Sequence, residues 1–310
     1  MRWLIIISLL FFCVSSNAQS KDTTIFYEGK TYTLPDVIVG DSKWYIEFLN
    51  RIKNDTTFYK AFRNLRVLNF TSFNDIKMLD KKRKVKASMF SKTKQVRADG
   101  CRQTQVLEEN TTGDFYDKKH QYNYFTAELY AALFFAPQKI CGETNIVKGV
   151  DISAKSKKGI EKHKEQLKML FFNPGKKIQG IPFMGDKVNI FEPSAIQLYD
   201  FRVDQETYRG TPALVFTARP KADADKDDIV IDSMVTWFDA KNMNILARTY
   251  TLSYSAGVYD FNVTMEVEMQ QFGELTVPKV LRYNGEWDVM FKKKERAVFT
   301  ATLFDFSKEK

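Results

Sequence analysis

Side chains able to ligate a metal, attack a substrate or shuttle protons are sparse in this 310-residue sequence, and their spacing disfavours each chemistry in turn. The densest acidic group is Asp223, Asp225, Asp227 and Asp228. Carboxylates at alternate positions can converge on a calcium ion, but such a loop needs glycine at its sixth position and glutamate at its twelfth. Asp228 and Met234 stand there instead, so a solvated hairpin tip is expected. The only histidines are His120, in a polar Asp117-Lys118-Lys119-His120 run, and His163, on the apolar side of a lysine-rich helical segment. With one cysteine pair beside them they assemble no convincing zinc set. Glu108 and Glu109 are adjacent, so on a strand they face opposite ways and make no carboxylate dyad. No Gly-x-Ser-x-Gly nucleophile turn occurs, and Gly175, Gly180 and Gly185 are too dispersed to cradle a phosphate. The reading is therefore of a non-enzymatic protein with no cofactor and no metal.

The compartment is written at the start. Arg2 precedes an apolar run from Leu4 to Val14, and Ser16-Asn17-Ala18 places small residues before Gln19. This is the pattern of a secretory signal peptide, residues 1–18, cleaved after Ala18 to leave a periplasmic or secreted chain. Cys13 raises a lipoprotein reading, but the residues before it are the bulky Phe11 and Phe12. No later apolar run is long enough to span a bilayer. Two cysteines remain after cleavage, and in an oxidising compartment Cys101 and Cys141 are expected to form one structural disulfide.

The formal net charge is +9, or +8 once Arg2 leaves with the leader. Lysine and arginine cluster at residues 81–84, 155–158, 176–177 and 292–294. A secreted chain rarely meets nucleic acid, so no nucleic-acid partner is expected. Peripheral contact with an anionic membrane surface and plain solvated turns are the two readings of these clusters.

The elements that must position any site follow from periodicity. A short hairpin is expected over Phe26 to Leu34, then helices over Trp44–Ile52 and Phe58–Leu65. Strands are expected over Val67–Phe73 and Val85–Phe90. A helix follows over Tyr122–Phe135, with Tyr122, Phe125, Leu129, Ala132 and Leu133 inward, and another over Gly159–Phe172. The last third reads as consecutive antiparallel strands: Ile196–Val203, Pro212–Ala218, Ile229–Trp237 and Ile245–Tyr254. A long strand comes next, with Tyr259, Phe261, Val263, Met265, Val267 and Met269 on one face and Asp260, Asn262, Thr264, Glu266, Glu268 and Gln270 on the other. At the usual rise it spans on the order of 35–40 Å, which suits a strongly curved sheet. Asn284-Gly285 predicts a hairpin turn between Val280–Tyr283 and Trp287–Phe291, and Val298–Phe306 closes the series. The economical reading is one α+β domain over residues 19–310, with Cys141 to Lys158 the best place for a sub-boundary.

The last third carries a resemblance. Tyr208-Arg209-Gly210 leads into Ala213-Leu214-Val215-Phe216, then Arg219-Pro220-Lys221; Thr236-Trp237-Phe238-Asp239 is followed by Asn244-Ile245-Leu246-Ala247-Arg248, and Val277-Pro278-Lys279-Val280 comes last. In this order the segments resemble the LolA/LppX-like group of periplasmic lipid- and lipoprotein-binding proteins. Asn17-Ala18-Gln19 and Leu34-Pro35-Asp36-Val37-Ile38-Val39-Gly40 resemble secreted proteins of Bacteroidetes. What the first resemblance implies is a curved, antiparallel, open β-barrel with helices packed on its concave face. It also implies an apolar or lipidated ligand in that half-barrel, a lipid or lipoprotein.

Candidate lining residues are Tyr259, Phe261, Val263, Met265, Val267, Met269 and Trp237. Whether this row lines a ligand cavity or a filled core stays open at this level. An envelope accessory or scaffold protein contacting an outer-membrane protein is the alternative function, and a secreted hydrolase the weakest.

Overall fold

The computed structural model describes residues 23–27, 30–34, 42–147, 170–176, 187–255, 259–289 and 293–309. The predicted leader, the bulk of the helix expected from Gly159, and His163 lie outside the described residues. A two-stranded hairpin, β1 (Thr23–Tyr27) with β2 (Lys30–Leu34), stands where it was expected. Helices α1 (Ser42–Asn54) and α2 (Thr57–Asn64) follow. Phe48 and Ile52 of α1 and Phe58 and Phe62 of α2 are buried, each pair four residues apart and so on one helix face.

Eleven strands form one continuous antiparallel sheet. In chain order they are β3 (Leu68–Leu79), β4 (Val85–Ala98), β5 (Cys101–Thr112), β6 (Ile140–Cys141), β7 (Tyr199–Tyr208), β8 (Thr211–Pro220), β9 (Ile231–Asp239), β10 (Ile245–Ser255), β11 (Tyr259–Phe272), β12 (Leu275–Val289) and β13 (Glu295–Lys308). Their spatial order is β6-β5-β4-β3-β13-β12-β11-β10-β9-β8-β7. The sheet is curved and unclosed, with β6 and β7 at its two edges. The final strand therefore pairs with the first long one, Thr300 opposite Asp75, and joins the halves of the chain into a single layer. Cys101 and Cys141 are disulfide-bonded, fastening the short edge strand β6 to β5, where they sit directly opposite each other. The β4–β5 turn is Asp99-Gly100, both at positive φ, the two-residue hairpin geometry that glycine and aspartate accept most readily.

Helix α3 (Phe125–Phe134) lies on the concave side. Of the expected inward set, Leu129 is buried and Tyr122, Phe125 and Leu133 pack half-buried against the core, while the deepest face also carries Thr126, Ala127 and Tyr130 in place of Ala132. The helix is apolar on most of its surface, with Glu128 its only charge, so periodicity alone did not fix its rotation. Glu295 of β13 fixes it: its carboxylate accepts the backbone N–H groups of Phe125 and Thr126, both at 2.8 Å, and the Thr126 hydroxyl at 2.7 Å. An anion at a helix N-terminus satisfies orphan donors and opposes the helix dipole.

Two expectations are corrected. Ile196 does not open a strand but ends the short helix α4 (Pro193–Ile196), which Pro193 begins at the position where a missing N–H costs nothing. Asn284-Gly285 is not a turn; it lies in the middle of β12, and the reversal comes earlier, at Gly273-Glu274. Gly285 is there for space. A Cβ on it would collide with the Tyr283 side chain, whose ring leans along the strand over the bare backbone and whose hydroxyl oxygen accepts a 2.6 Å hydrogen bond from Trp287 Nε1.

Candidate functional site

The concave wall is built from the alternation of β11. Phe261, Val263, Met265 and Val267 point inward with 0–4% of their surface exposed, and Met269 packs at the margin of the same core. The backbone of Tyr259 pairs with Val289 at the start of the strand; its side chain is outside the described residues. Neighbouring strands add Tyr250, Tyr283, Trp287 and Phe299, all buried. Their rings interlock: Phe261 lies 4.9 Å from Trp287, and Tyr283 stacks on Phe299 at 4.5 Å. Tyr130 of α3 closes on Phe299 at 4.5 Å.

Among the described residues, a void of about 10 Å³ lies between α3 and the wall, bordered by Met265, Tyr283, Phe299 and Phe171. That is the room of a single water. Beneath α3 the described part of the wall is thus closely packed.

Trp237 does not belong to this wall. It sits on the outer face, its ring 5.4 Å from Tyr208 and its Nε1 donating to Glu206 at 3.3 Å. The cause is a bulge. Leu252 pairs with Ile231 but Thr251 pairs with Ser233, so Asp232 is the extra residue and the in–out phase reverses after it. Ile231 is inward before the bulge; Met234, Thr236 and Phe238 are inward after it. Asp232 then accepts from the Ser253 hydroxyl at 3.0 Å.

Polar groups are not excluded from the concave side. Asn74 on β3 accepts from the Tyr130 hydroxyl at 2.7 Å and donates to Ser91 and Thr93, a buried network beneath α3. Arg248 on β10 also points inward, opposite Thr236 on one side and Val267 on the other. Only 5% of it is exposed. Its Nε donates to Thr236 Oγ1 at 2.8 Å and its guanidinium lies 4.3 Å from the Phe58 ring centre. Burial lowers its pKa to about 10, against the opposing influence of Asp55 and Tyr250.

Lys176 is close enough for Arg248 to depress its pKa. Its ammonium donates to the carbonyls of Ile52, at 3.0 Å, and Lys53 at the C-terminal end of α1. Burial first, then the Arg248 charge, lowers the Lys176 pKa to about 8. Lys176 is therefore not a solvated turn residue. Residues 81–84 are one, closed by Asp80 accepting from the Lys82 and Lys84 backbones.

Sequence reasoning passed over Arg248, although it stands in phase with the inward Tyr250 and Leu252. The acidic group forms the β8–β9 turn, where Asp225 accepts from the Asp227 N–H and Lys187 pairs with Asp228 at 3.1 Å. Among the described residues no three histidine, cysteine or acidic side chains gather around a metal position. No helix among them is long and apolar enough to cross a membrane.

The architecture is that of an open antiparallel sheet plugged by helices on its concave face. No family model and no curated protein matches the chain. Among solved structures it is similar to a domain described as an outer-membrane lipoprotein-sorting protein from Vibrio parahaemolyticus, at 12% identity over 79% of this chain and 88% of that one, with a TM-score of 0.28. It is also similar to a LolA superfamily protein from Nitrosomonas europaea, at 10% identity over 82% and 92%, TM-score 0.27. A third is a DUF1329 family protein from Desulfovibrio piger, at 10% over 82% and 94%, TM-score 0.24. These are proteins of the kind that the last third of the sequence resembles. At such TM-scores the likeness carries no argument about function, which is built below from the concave wall.

Proposed function

We propose that this chain is a non-enzymatic cell-envelope protein that takes an apolar or lipidated ligand onto the concave face of its open sheet. One observation carries the reading: among the described residues, an apolar wall on β11 and its neighbours is covered by separate helices and not by a second sheet. Helices can leave such a wall without unpairing any strand. The polarity of α3 fits, because a helix apolar on most of its surface suits packing against either the wall or a lipid tail. With the described wall packed beneath α3, ligand entry there requires α3 to move off Met265, Tyr283 and Phe299. Methionine on the wall repacks readily around a new occupant.

The test is purification of the protein without detergent from a Gram-negative host, followed by native mass spectrometry and lipid extraction. A reproducible bound mass that extracts as lipid is expected. An apo mass that stays unchanged after incubation with lipid vesicles would refute the reading.

A second reading, a scaffold acting through protein contacts, is favoured by a different observation. Phe73 and Phe90 are 40% and 39% exposed on the outer face, and Phe304 packs on Phe73 at 4.9 Å, a row of aromatic rings across β13, β3 and β4. Affinity capture that recovers no envelope protein would remove it.

A further inference from the structure

We propose that Arg248 anchors an anionic headgroup, so that the ligand of the concave face is an anionic amphiphile and not a neutral lipid. This rests on the concave face being a ligand site, and it adds the ligand's chemical class.

Among the described residues, Arg248 is the buried cation of the apolar wall. Its surroundings do not account for a charge: one hydroxyl, Thr236 Oγ1, takes Nε, and the Phe58 ring covers the guanidinium. Among the described residues no carboxylate forms an ion pair with it, and its two terminal nitrogens have no hydrogen-bond partner. A guanidinium offers five donors; only Nε has a protein partner here, and the terminal nitrogens, not among the buried atoms left without a partner, keep contact with solvent and are open to an anion.

The nearby charges do not remove the excess. Asp55, at the α1–α2 turn, already accepts from the Thr57 N–H and hydroxyl. Lys176 adds a second half-buried cation and Lys53 an exposed one. Among the described residues, Arg248 and Lys176 thus share one committed carboxylate, Asp55.

Position supplies the rest of the argument. Arg248 stands directly opposite Val267 on β11, and the apolar row then runs Met265, Val263, Phe261 away from it. Six residues of strand give a trough of about 20 Å. An anionic group on the guanidinium with an aliphatic tail along that row takes up the donors no protein group meets and follows the wall. The cover over Arg248 is Phe58 of α2, so access requires α2 to lift. The chemistry recognised is a carboxylate or phosphate. A free anion and a lipid headgroup both offer it, so the experiment separates them.

The probes are dodecanoate, dodecanol and inorganic phosphate, each competing with the neutral dye Nile red on the full mature chain, wild type and Arg248→Met. Dodecanoate is expected to bind about tenfold or more tightly than dodecanol, the value of a charge-assisted hydrogen bond. In Arg248→Met that preference falls to about twofold or less while dodecanol affinity is retained. Thermal melting accompanies the binding. Loss of an uncompensated buried charge leaves Tm unchanged or raised, whereas a purely structural arginine would lower it. Arg248→Lys serves if the methionine variant does not fold, and it retains part of the preference.

Equal affinity for dodecanoate and dodecanol in the wild type, or a preference that survives Arg248→Met, overturns the proposal but leaves the concave site standing. Phosphate that binds as tightly as dodecanoate overturns the headgroup assignment in favour of a free-anion site. Failure of both amphiphiles to displace the dye sinks the concave ligand site itself.

Discussion

At the scale of single residues, most buried polar groups among the described residues are answered by named partners, and the answers can be tested. Glu143 lies between two arginines, accepting from Arg102 and paired with Arg66 Nη1 at 3.3 Å. Burial pushes its pKa up, but the Arg102 hydrogen bond and the charges of Arg102, Arg66 and Arg63 outweigh that and hold it below the ordinary glutamate value. A carboxyl depressed in the fold contributes stability that is complete above the unfolded value, about 4.3, and is lost as pH falls through the lower folded value. The stability gap between wild type and Glu143→Gln is therefore expected at neutral pH and should close in acid. Urea melts at the two pH values decide this, and a gap independent of pH would contradict it. Gly285→Ala is expected to cost about 1–3 kcal/mol, because the new methyl group collides with the buried Tyr283 ring. A fall in the urea midpoint without a change of slope is the expected signature.

At the scale of elements, one carboxylate from the sheet holds α3. Glu295→Ala removes the acceptor of two backbone N–H groups and one hydroxyl at the helix start, and is expected to destabilise by about 1–2 kcal/mol. If α3 is the element that moves for a ligand, the loss is local. Hydrogen exchange should accelerate in residues 125–134 while β11 and β12 stay protected. Uniform acceleration would instead mark Glu295 as a global support. The same scale shows why strand readings were partly legible. The period-two pattern of β11 holds from Phe261 to Val267, whose inward residues Phe261, Val263, Met265 and Val267 are among those expected, up to a register shift at Glu268–Met269. In β9 a single extra residue at Asp232 reverses the phase, and nothing in the spacing of Ile229, Ile231, Val235 and Trp237 marks where. At Asn284-Gly285 two mechanisms share one dipeptide: freedom for a turn, and room for a neighbouring ring.

At the scale of the molecule, the sheet is knitted from both ends of the chain, and its edge at β6 is only two residues long. The Cys101–Cys141 bond joins that edge to β5 across a separation of 40 residues. Replacing both cysteines by alanine is expected to lower stability by about 4 kcal/mol in the chain-entropy view. Chemical denaturation of the double variant beside the oxidised protein measures it, and a loss below about 1 kcal/mol would show that the edge is held by its other contacts.

The amino-acid sequence by itself determined the hairpin at the start, the helices α1 and α2, the antiparallel strands of the last third, the cysteine pair and the apolar face of β11. Each of these is local or nearly so: periodicity, turn chemistry and residue class act within a few positions. Tertiary structure alone decided that β13 pairs with β3, that α3 turns its Tyr130 face inward, that Trp237 lies outside the wall, and that Arg248 is buried beneath Phe58. Those outcomes depend on which surfaces meet across hundreds of residues. A strand's spacing records which side chains share a face, but the face that is covered is chosen by the helices and strands that arrive to cover it.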